Sequence, residues 1–216
     1  MTDLDLTTAA DLTAYEQEFD SALSITPEVA DQLFRRAATA YRFSDEPVTD
    51  EQVRAVHELA KWGPTAMNSQ PLRVVLVRSD AARARLVEHM AGGNQERTAA
   101  APLVALLAAD TDFHDELDRV FPVVPGARSG FADEQARTAV AHTNAVLQAA
   151  YFIVAVRAAG LAAGPMAGFD ADAVSRDFFP DGRHRVFMVV NLGHPSSESY
   201  RPRQPRLDYD EVVTTV

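Results

Sequence analysis

A short uncharged segment in the first third of the chain combines residue types that leave backbone accessible. It reads "GPTAMNSQP" (63–71) and lies between an amphipathic pattern and an apolar run. A second segment of similar character, "GPMAGF" (164–169), follows later. Side chains as small as these would let backbone N–H groups approach a flat ligand closely. For each segment taken alone, an ordinary connecting loop is the alternative.

Two arginine-rich stretches stand out in an acidic chain. They are "RRAATAYR" (35–42) and "RPRQPR" (201–206). The whole chain has 31 Asp and Glu against 20 Lys and Arg, a formal net charge of −11. Because this charge repels nucleic acids and anionic lipids, we expect neither nucleic acid nor membrane as a partner. A local positive cluster can still hold a small anion such as phosphate, with surface ion pairs as the alternative.

Several common kinds of chemistry lack their sequence signature. The chain has no cysteine, which rules out disulfides, thiolate nucleophiles and cysteine-ligated metals. It also lacks the HExxH, GxxxxGK[ST] and GxSxG motifs. The glycines of "GLAAGPMAG" (160–168) follow a helical pattern, whereas a dinucleotide-binding fingerprint follows a strand. The stretch "DTDFHDE" (110–116) is interpreted as a solvated loop, so no metal site is predicted.

No side chain is therefore a clear catalytic acid, base or nucleophile. Backbone-rich loops together with arginines suit a cofactor that performs its own chemistry. A flavin needs backbone donors around its ring, close packing against its faces and cations at its phosphate. The two uncharged segments and the arginine clusters offer these features.

Local patterns predict the helices and strands that would position these residues. Thr26 predicts the start of one helix, and Thr49 with Gln52, at capping-box spacing, predicts the start of another. A long helix is predicted over about 134–159, closed by Gly160. Buried strands are predicted from short apolar runs at 72–78, 102–109 and 185–193. The mixture predicts an α+β fold with helices packed on a central sheet.

The chain is predicted to contain an acidic N-terminal arm, residues 1–25, followed by one domain, residues 26–216. The first residues contain no apolar signal segment, and no uncharged apolar stretch is long enough to span a bilayer. We therefore expect a soluble, cytoplasmic protein.

Four stretches, in their order and separations, resemble the nitroreductase family of FMN-dependent oxidoreductases. They are "DEPVTDEQVRAVHELAKWGPTAMNSQPLRVVLVRS", "GNQERTAAAPLVALLAADTDFHDEL", "LQAAYFIVAVRAAGLAAGPMAGFDADAV" and "PRQPRLDYDEVV". The resemblance runs from about Leu33 to the C-terminus and points to the malonic semialdehyde reductase branch. It implies a nitroreductase-like α+β fold with a central mixed sheet, and a homodimer with FMN at the subunit interface.

The resemblance also implies a reaction. NADH or NADPH would reduce the flavin, which would then reduce a small aldehyde such as malonic semialdehyde. Flavin N5 would carry the hydride in both steps, so no catalytic side chain is expected. The alternatives are a nitro or quinone reductase, a flavin-dependent oxidase or dehydrogenase of a small metabolite, and an inactive flavin-binding scaffold.

Matching the family's motifs position by position gives a set of cofactor-binding residues. Those expected to reach the flavin of the neighbouring subunit are Pro64, Thr65, Ala66 and Asn68. Those at the family's N-x-x-K motif, which contacts the ribityl chain and ring, are Asn94 and Arg97, with arginine in place of lysine. Those expected along the isoalloxazine ring are Pro165, Met166, Ala167 and Gly168, where many relatives carry Glu in place of the alanine. The basic pair expected on the phosphate is Arg201 and Arg203.

The N-terminal motif departs from the family pattern. Branch members read like A-R-T-x-N, whereas this chain reads "AATAY", so Ala38 and Tyr41 replace an arginine and an asparagine. Only Thr39 of the motif remains, and we include it in the cofactor-binding set. The neighbouring Arg36 is also included, because an arginine close in sequence could replace the missing one; Arg35 and Arg42 could do the same.

A segment between the second predicted strand and the long helix contains three phenylalanines, Phe113, Phe121 and Phe131. Relatives place a variable lid over the flavin here. Phe113 and Phe131 are therefore predicted to line the substrate pocket. The alternative is that they anchor the segment to the hydrophobic core.

Overall fold

The computed structural model of the protein describes residues 20–216, so most of the predicted N-terminal arm lies outside the described residues. Eight α-helices are found in the described part: α1 (Pro27–Ala30), α2 (Asp50–Ala60), α3 (Asp80–His89), α4 (Gly92–Ala100), α5 (Leu117–Val120), α6 (Glu134–Ala158), α7 (Ala171–Phe178) and α8 (Tyr209–Val212). Four strands accompany them: β1 (Leu72–Val77), β2 (Leu103–Asp110), β3 (Ala162–Met166) and β4 (His184–Gly193). The division into an arm and a domain at residue 25 stays a prediction.

The four strands form one sheet in the order β1-β2-β4-β3. Every pairing among them is antiparallel, so within residues 20–216 the expectation of a mixed sheet is wrong. The connection from β1 to β2 contains two helices, α3 and α4, rather than the single helix of a βαβ unit. The chain therefore enters β2 from the opposite end to β1, and the two strands pair antiparallel.

Helices cover both faces of the sheet, which explains the uninterrupted apolar sequence of β2. Leu103, Ala105 and Leu107 point towards α2 and α6, where they meet side chains such as Phe152. The alternate residues of β2 point to the other face, where they pack with Leu86 of α3 and with residues of α7. All eight residues of β2 are buried. The site described below is built at the edges of this core.

The local signals for helix ends are confirmed. The Thr26 hydroxyl accepts a hydrogen bond from the N–H of Val29, and Thr49 and Gln52 form a reciprocal capping box. Gly160, directly after the last turn of α6, has a φ of 75°, the left-handed conformation expected of a glycine at a helix end.

Helix α6 is, in the described part of the chain, the one helix long and apolar enough to cross a membrane by length and composition. Its buried residues include Ala149, Phe152 and Val156, which pack on the sheet. These contacts identify α6 as the central core helix of the fold.

Candidate functional site

The beginning of α4 and the end of β3 meet in a close contact. The amide Nδ2 of Asn94 donates to the carbonyl oxygen of Gly168 at 2.9 Å, and the N–H of Ala91 donates to the same oxygen at 3.0 Å. The Arg97 guanidinium in turn donates to Oδ1 of Asn94. A Cβ at Gly168 would lie 2.6 Å from the Asn94 amide nitrogen, so a larger residue here would displace the Asn94 side chain from this hydrogen bond. The predicted pair Asn94 and Arg97 thus lies beside the predicted ring-binding loop.

The segment that carries Thr39 lies against the other side of β3. The N–H of Ala40 donates to the Ala163 carbonyl at 2.8 Å. A Cβ at Gly164 would lie 2.5 Å from the Ala40 carbonyl oxygen, so the two backbones can approach this closely only at a glycine. The N–H of Tyr41 donates to the Ser199 carbonyl at 2.8 Å. Together these contacts bring the N-terminal motif, β3 and the start of the C-terminal arginine stretch to one place.

Three predicted arginines converge there, and we call them the unpaired cluster: Arg97, Arg201 and Arg203. The Tyr41 ring centroid lies 4.7 Å from Cζ of Arg97 and 4.1 Å from Cζ of Arg201. Arg203 donates to the carbonyl oxygens of Phe34 and Ala37 at 3.4 and 3.3 Å. None of the three has a carboxylate within 4.0 Å among residues 20–216. In a chain of net charge −11, such a cluster is a local centre of positive potential that favours an anion.

The neighbouring arginines considered as replacements for the missing motif arginine are already paired. Arg35 binds Asp20 and Asp31, and the mostly exposed Arg36 binds Asp31 at 2.9 Å. Arg42 lies 3.6 Å from Glu198. A phosphate would have to compete with these carboxylates, so the structure favours the unpaired cluster over them as the main source of positive charge.

One buried polar atom at this site has no hydrogen-bond partner. Asn191, on β4 opposite Gly164, donates its Nδ2 to the Arg97 carbonyl at 3.1 Å, while its buried Oδ1 has no hydrogen-bond partner among residues 20–216. Buried polar atoms are almost always hydrogen-bonded, so an atom of this kind points to a missing ligand or water. We call the close approaches at Gly164 and Gly168, at β3 and just after it, the cradle. Together with the arginines and this acceptor, the cradle fits a phosphorylated, hydroxyl-bearing cofactor.

The predicted segment Pro64–Asn68 lies elsewhere, before β1. The N–H of Ala66 donates to Oδ1 of Asn144 on α6 at 2.7 Å, and Nδ2 of Asn68 donates to the Val120 carbonyl at 2.7 Å. Met67 and Asn68 have φ values of 55° and 49°, a conformation that non-glycine residues adopt only under local constraint. Because β1 and β3 are the two edge strands of the sheet, they are about 14 Å apart. One chain does not bring Pro64–Asn68 to the cradle at β3.

The two phenylalanines predicted to line a substrate pocket differ in burial. Phe113 is fully buried, and packs with Leu117 and Ala141, which favours the core-anchoring alternative for this residue. Phe131 is only partly buried, and its ring meets the Phe113 ring edge-on at a centroid distance of 5.0 Å. Of the pair, Phe131 stays a candidate pocket residue.

Sequence patterns gave no sign of a second arginine group, which we call the paired cluster: Arg73, Arg137 and Arg183 with Asp110, Asp112 and Asp115. The buried Asp110 carboxylate accepts from Arg73 at 2.8 Å and from Arg183 at 2.9 Å. Arg137 binds Asp112 at 3.0 Å and donates to the Phe131 carbonyl at 2.9 Å. The hydrogen bond to Asp110 raises the pKa of Arg183 above its ordinary value.

The paired cluster holds the segment containing Phe113 and Phe131 to the end of the sheet. It also accounts for the acidic stretch 110–116, whose carboxylates face arginines from distant parts of the chain. Arg73 and Arg183 are far from Asp110 in sequence, so no local motif could have indicated the contact. The sequence likewise marks Tyr41 only as a departure from a motif, not as a site residue.

Comparisons with known proteins agree with the family resemblance. A model of the Nitroreductase family matches residues 33–194. A protein of Streptomyces coelicolor, provisionally named NADH dehydrogenase/NAD(P)H nitroreductase, is 57% identical over 196 residues, covering 90% of this chain and 100% of that protein. A protein of Leptothrix cholodnii with the same provisional name is 50% identical over 186 residues, covering 86% and 94%.

Solved structures are also similar. A provisionally assigned nitroreductase from Bacillus subtilis matches with a TM-score of 0.73 at 26% identity, covering 85% of this chain and 97% of that one. Another, from Exiguobacterium sibiricum, was solved in complex with FMN and matches with a TM-score of 0.76 at 17% identity, covering 86% and 96%. At that identity the second likeness supports the fold alone.

Proposed function

This chain belongs to the Nitroreductase family, and from that membership we propose that it is an FMN-dependent oxidoreductase that takes electrons from NADH or NADPH. The observation that carries the proposal is the cradle at β3. There Asn94, Arg97 and the loop 165–168 lie together with Arg201 and Arg203, as the family resemblance requires of an FMN site. The names of the relatives support NADH or NADPH as the electron donor, and FMN is the cofactor that the family resemblance implies.

The chain's own residues would bind and position the cofactor. When bound, FMN supplies the hydride acceptor and donor of a two-step exchange, so no catalytic acid or base is needed from the protein. Arg201 and Arg203 would neutralise the phosphate, which carries nearly two negative charges at neutral pH. Each charge-assisted hydrogen bond contributes about 1.5–3 kcal/mol. The small residues of 165–168 leave room for a flat ring to approach the backbone.

The proposal includes a homodimer with FMN at the interface. It is supported by the distance between the cradle and Pro64–Asn68, because a second copy could supply the segment that one chain holds at the other edge of its sheet. Val146, Leu147 and Tyr151 expose apolar surface on α6, and Tyr151 lies against Gly63, directly before that segment. Residues 201–216 are exposed throughout and include further apolar side chains. Exposed apolar surface of this kind is typical of an interface between subunits.

The acceptor is the least determined part of the reaction. The branch resemblance favours a small aldehyde such as malonic semialdehyde. The names of the relatives favour a nitro compound, which we keep as the second candidate together with quinones. Ala167 stands where many members of the family carry glutamate, so a polar contact to substrate or nicotinamide would be missing in either case.

The test uses the purified full-length protein under anaerobic conditions. We expect an absorbance spectrum with flavin bands at about 370 and 450 nm. Addition of NADH or NADPH should bleach the longer-wavelength band. Malonic semialdehyde, a nitroarene and a quinone are then added separately, and return of the flavin absorbance is timed. Fastest return with the aldehyde supports the branch assignment, and return only with the other two supports the second candidate. Bound flavin that neither nicotinamide reduces would contradict an enzymatic role and favour the scaffold alternative.

The dimer is tested independently by light scattering. We expect twice the mass of one chain. A stable monomer that still holds FMN would contradict the interface site.

A further inference from the structure

The ring of Tyr41 contacts two cations that have no carboxylate partner in the described part of the chain. Cζ of Arg97 is 4.7 Å and Cζ of Arg201 is 4.1 Å from the centroid of its ring. The two arginines come from α4 and from the C-terminal stretch, so Tyr41 is the side chain where these segments meet. Guanidinium groups at this distance from an aromatic ring are attracted by its negative face.

The backbone around Tyr41 is held by hydrogen bonds of its own. The N–H of Tyr41 donates to the Ser199 carbonyl at 2.8 Å, and the preceding residue is hydrogen-bonded to β3. The buried Ser199 hydroxyl donates to the Arg42 carbonyl at 2.7 Å and accepts from the Ser196 N–H at 2.7 Å. These bonds fix the point from which the side chain of Tyr41 extends towards the two arginines.

Two positive groups brought close together without a counter-charge repel one another. The ring of Tyr41 offsets part of this repulsion, because one aromatic side chain attracts both guanidinium groups. Without the ring, the exposed Arg201 would be free to turn towards solvent, and an incoming anion would have to order it again. Ordering a long side chain on binding lowers affinity.

We propose that Tyr41 is a positioning residue for the cofactor phosphate: its ring, which also packs against Arg97, holds Arg201 ready for the dianion in the absence of an arginine at position 38. The proposal rests on the proposed function, since it assumes that FMN is the ligand. It assigns a role to a residue that differs from the family motif. Tyr41 acts through the two arginines and needs no contact of its own with the cofactor.

The experiment titrates flavin-free, full-length protein with FMN and with riboflavin, which lacks the phosphate, following quenching of flavin fluorescence. The variants are Tyr41→Leu, Tyr41→Phe, Arg201→Gln and the double variant Tyr41→Leu/Arg201→Gln. We expect Tyr41→Leu to bind FMN about five- to twentyfold more weakly and riboflavin within about twofold of wild type. Tyr41→Phe should restore FMN affinity to within about twofold, because it keeps the ring. The double variant should lose less than the product of the two single losses, because both disrupt one arrangement.

The outcomes separate the two proposals. If wild-type protein binds neither flavin, the proposed function fails. Suppose instead that wild type binds FMN. If Tyr41→Leu binds FMN equally well, or loses as much affinity for riboflavin as it does for FMN, Tyr41 has no phosphate-positioning role.

Discussion

The molecule contains two groups of arginines that differ in whether carboxylates accompany them. In the paired cluster, Arg73 and Arg183 share the buried Asp110, and Arg137 binds Asp112. In the unpaired cluster, three arginines meet backbone oxygens, an amide and a tyrosine ring, with no carboxylate within 4.0 Å in the described residues.

The difference indicates separate roles for the two groups. Removing one partner of a buried ion pair destabilises the fold because it leaves the other charge uncompensated, whereas charges left without a partner are available for a ligand. An acidic chain has ample carboxylates to pair all of its arginines, so the lack of one at the β3 cradle is informative. Substitutions in the paired cluster should therefore change stability, and those in the unpaired cluster should change cofactor affinity.

The largest expected effect is a loss of folding stability when the paired cluster is disrupted. Asp110→Asn removes a buried charge, leaves Arg73 without its counter-ion and leaves Arg183 with Asp115 alone. Losing one partner of a buried pair costs about 3–5 kcal/mol, and the partial exposure of both arginines places the cost nearer about 2–3 kcal/mol. The midpoint of thermal unfolding should fall by about 4–10 °C, measured by calorimetry on the flavin-free protein.

Asp115→Asn is the matched control for this substitution, because the carboxylate is more exposed and pairs with Arg128 and Arg183. Its loss should cost less than about 1 kcal/mol. If both variants unfold at the wild-type temperature, the paired cluster does not stabilise the fold and the contrast between the two groups is lost.

The next effect is on cofactor affinity at the unpaired cluster. Arg203→Ala removes one charge-assisted contact to the phosphate, so FMN should bind roughly 10- to 100-fold more weakly. The unfolding temperature of the flavin-free protein should stay within about 2 °C of wild type, because Arg203 has no carboxylate partner to lose. Fluorescence titration and calorimetry measure the two quantities.

Arg206→Ala provides the control in the same C-terminal stretch. Its guanidinium donates only to the nearby carbonyl oxygens of Gln204 and Pro205. Affinity should change by less than about twofold if the effect at Arg203 is specific. Equal losses in both variants would show a general effect of positive charge rather than a phosphate site.

A smaller effect is expected in the segment that the paired cluster holds. Phe131→Ala should change the relative rates with aldehyde and quinone acceptors by about threefold, with a smaller change in unfolding temperature than Phe113→Ala causes. The reason is that Phe113 is fully buried whereas Phe131 is only partly so. Steady-state rates with both acceptors provide the measurement. Unchanged relative rates combined with a large stability loss would make Phe131 a core residue like its neighbour.

The same contrast explains what the sequence could predict. Caps such as Thr49 with Gln52, and apolar runs such as β2, depend on residues close in the chain, so the sequence predicts them. Strand β3 was missed because its centre is Gly164-Pro165, a pair that favours turns, and its pairing with β4 involves residues distant in sequence. The antiparallel sheet could not be deduced from strands predicted one by one.

For the site, the motif resemblance located the arginines of the cradle but not their environment. Whether an arginine is paired depends on side chains from other elements, as with Asp110 and Arg183. The sequence therefore suggested Arg35, Arg36 and Arg42 as equal candidates for the missing motif arginine, and the ion pairs that occupy all three became visible only in the structure.

The smallest expected effect comes from restoring the motif itself with Ala38→Arg. The new guanidinium would enter a region that already contains Arg203, whose contact to the Ala37 carbonyl is one residue away. Without ligand the two cations would repel, and with FMN the added charge would be shared with arginines that already neutralise the phosphate. The gain in FMN affinity should therefore be less than about threefold, measured by the same titration. A gain of tenfold or more, from a weakly binding wild type, would mean that the unpaired cluster does not compensate for the lost arginine and that the site has degenerated towards a scaffold.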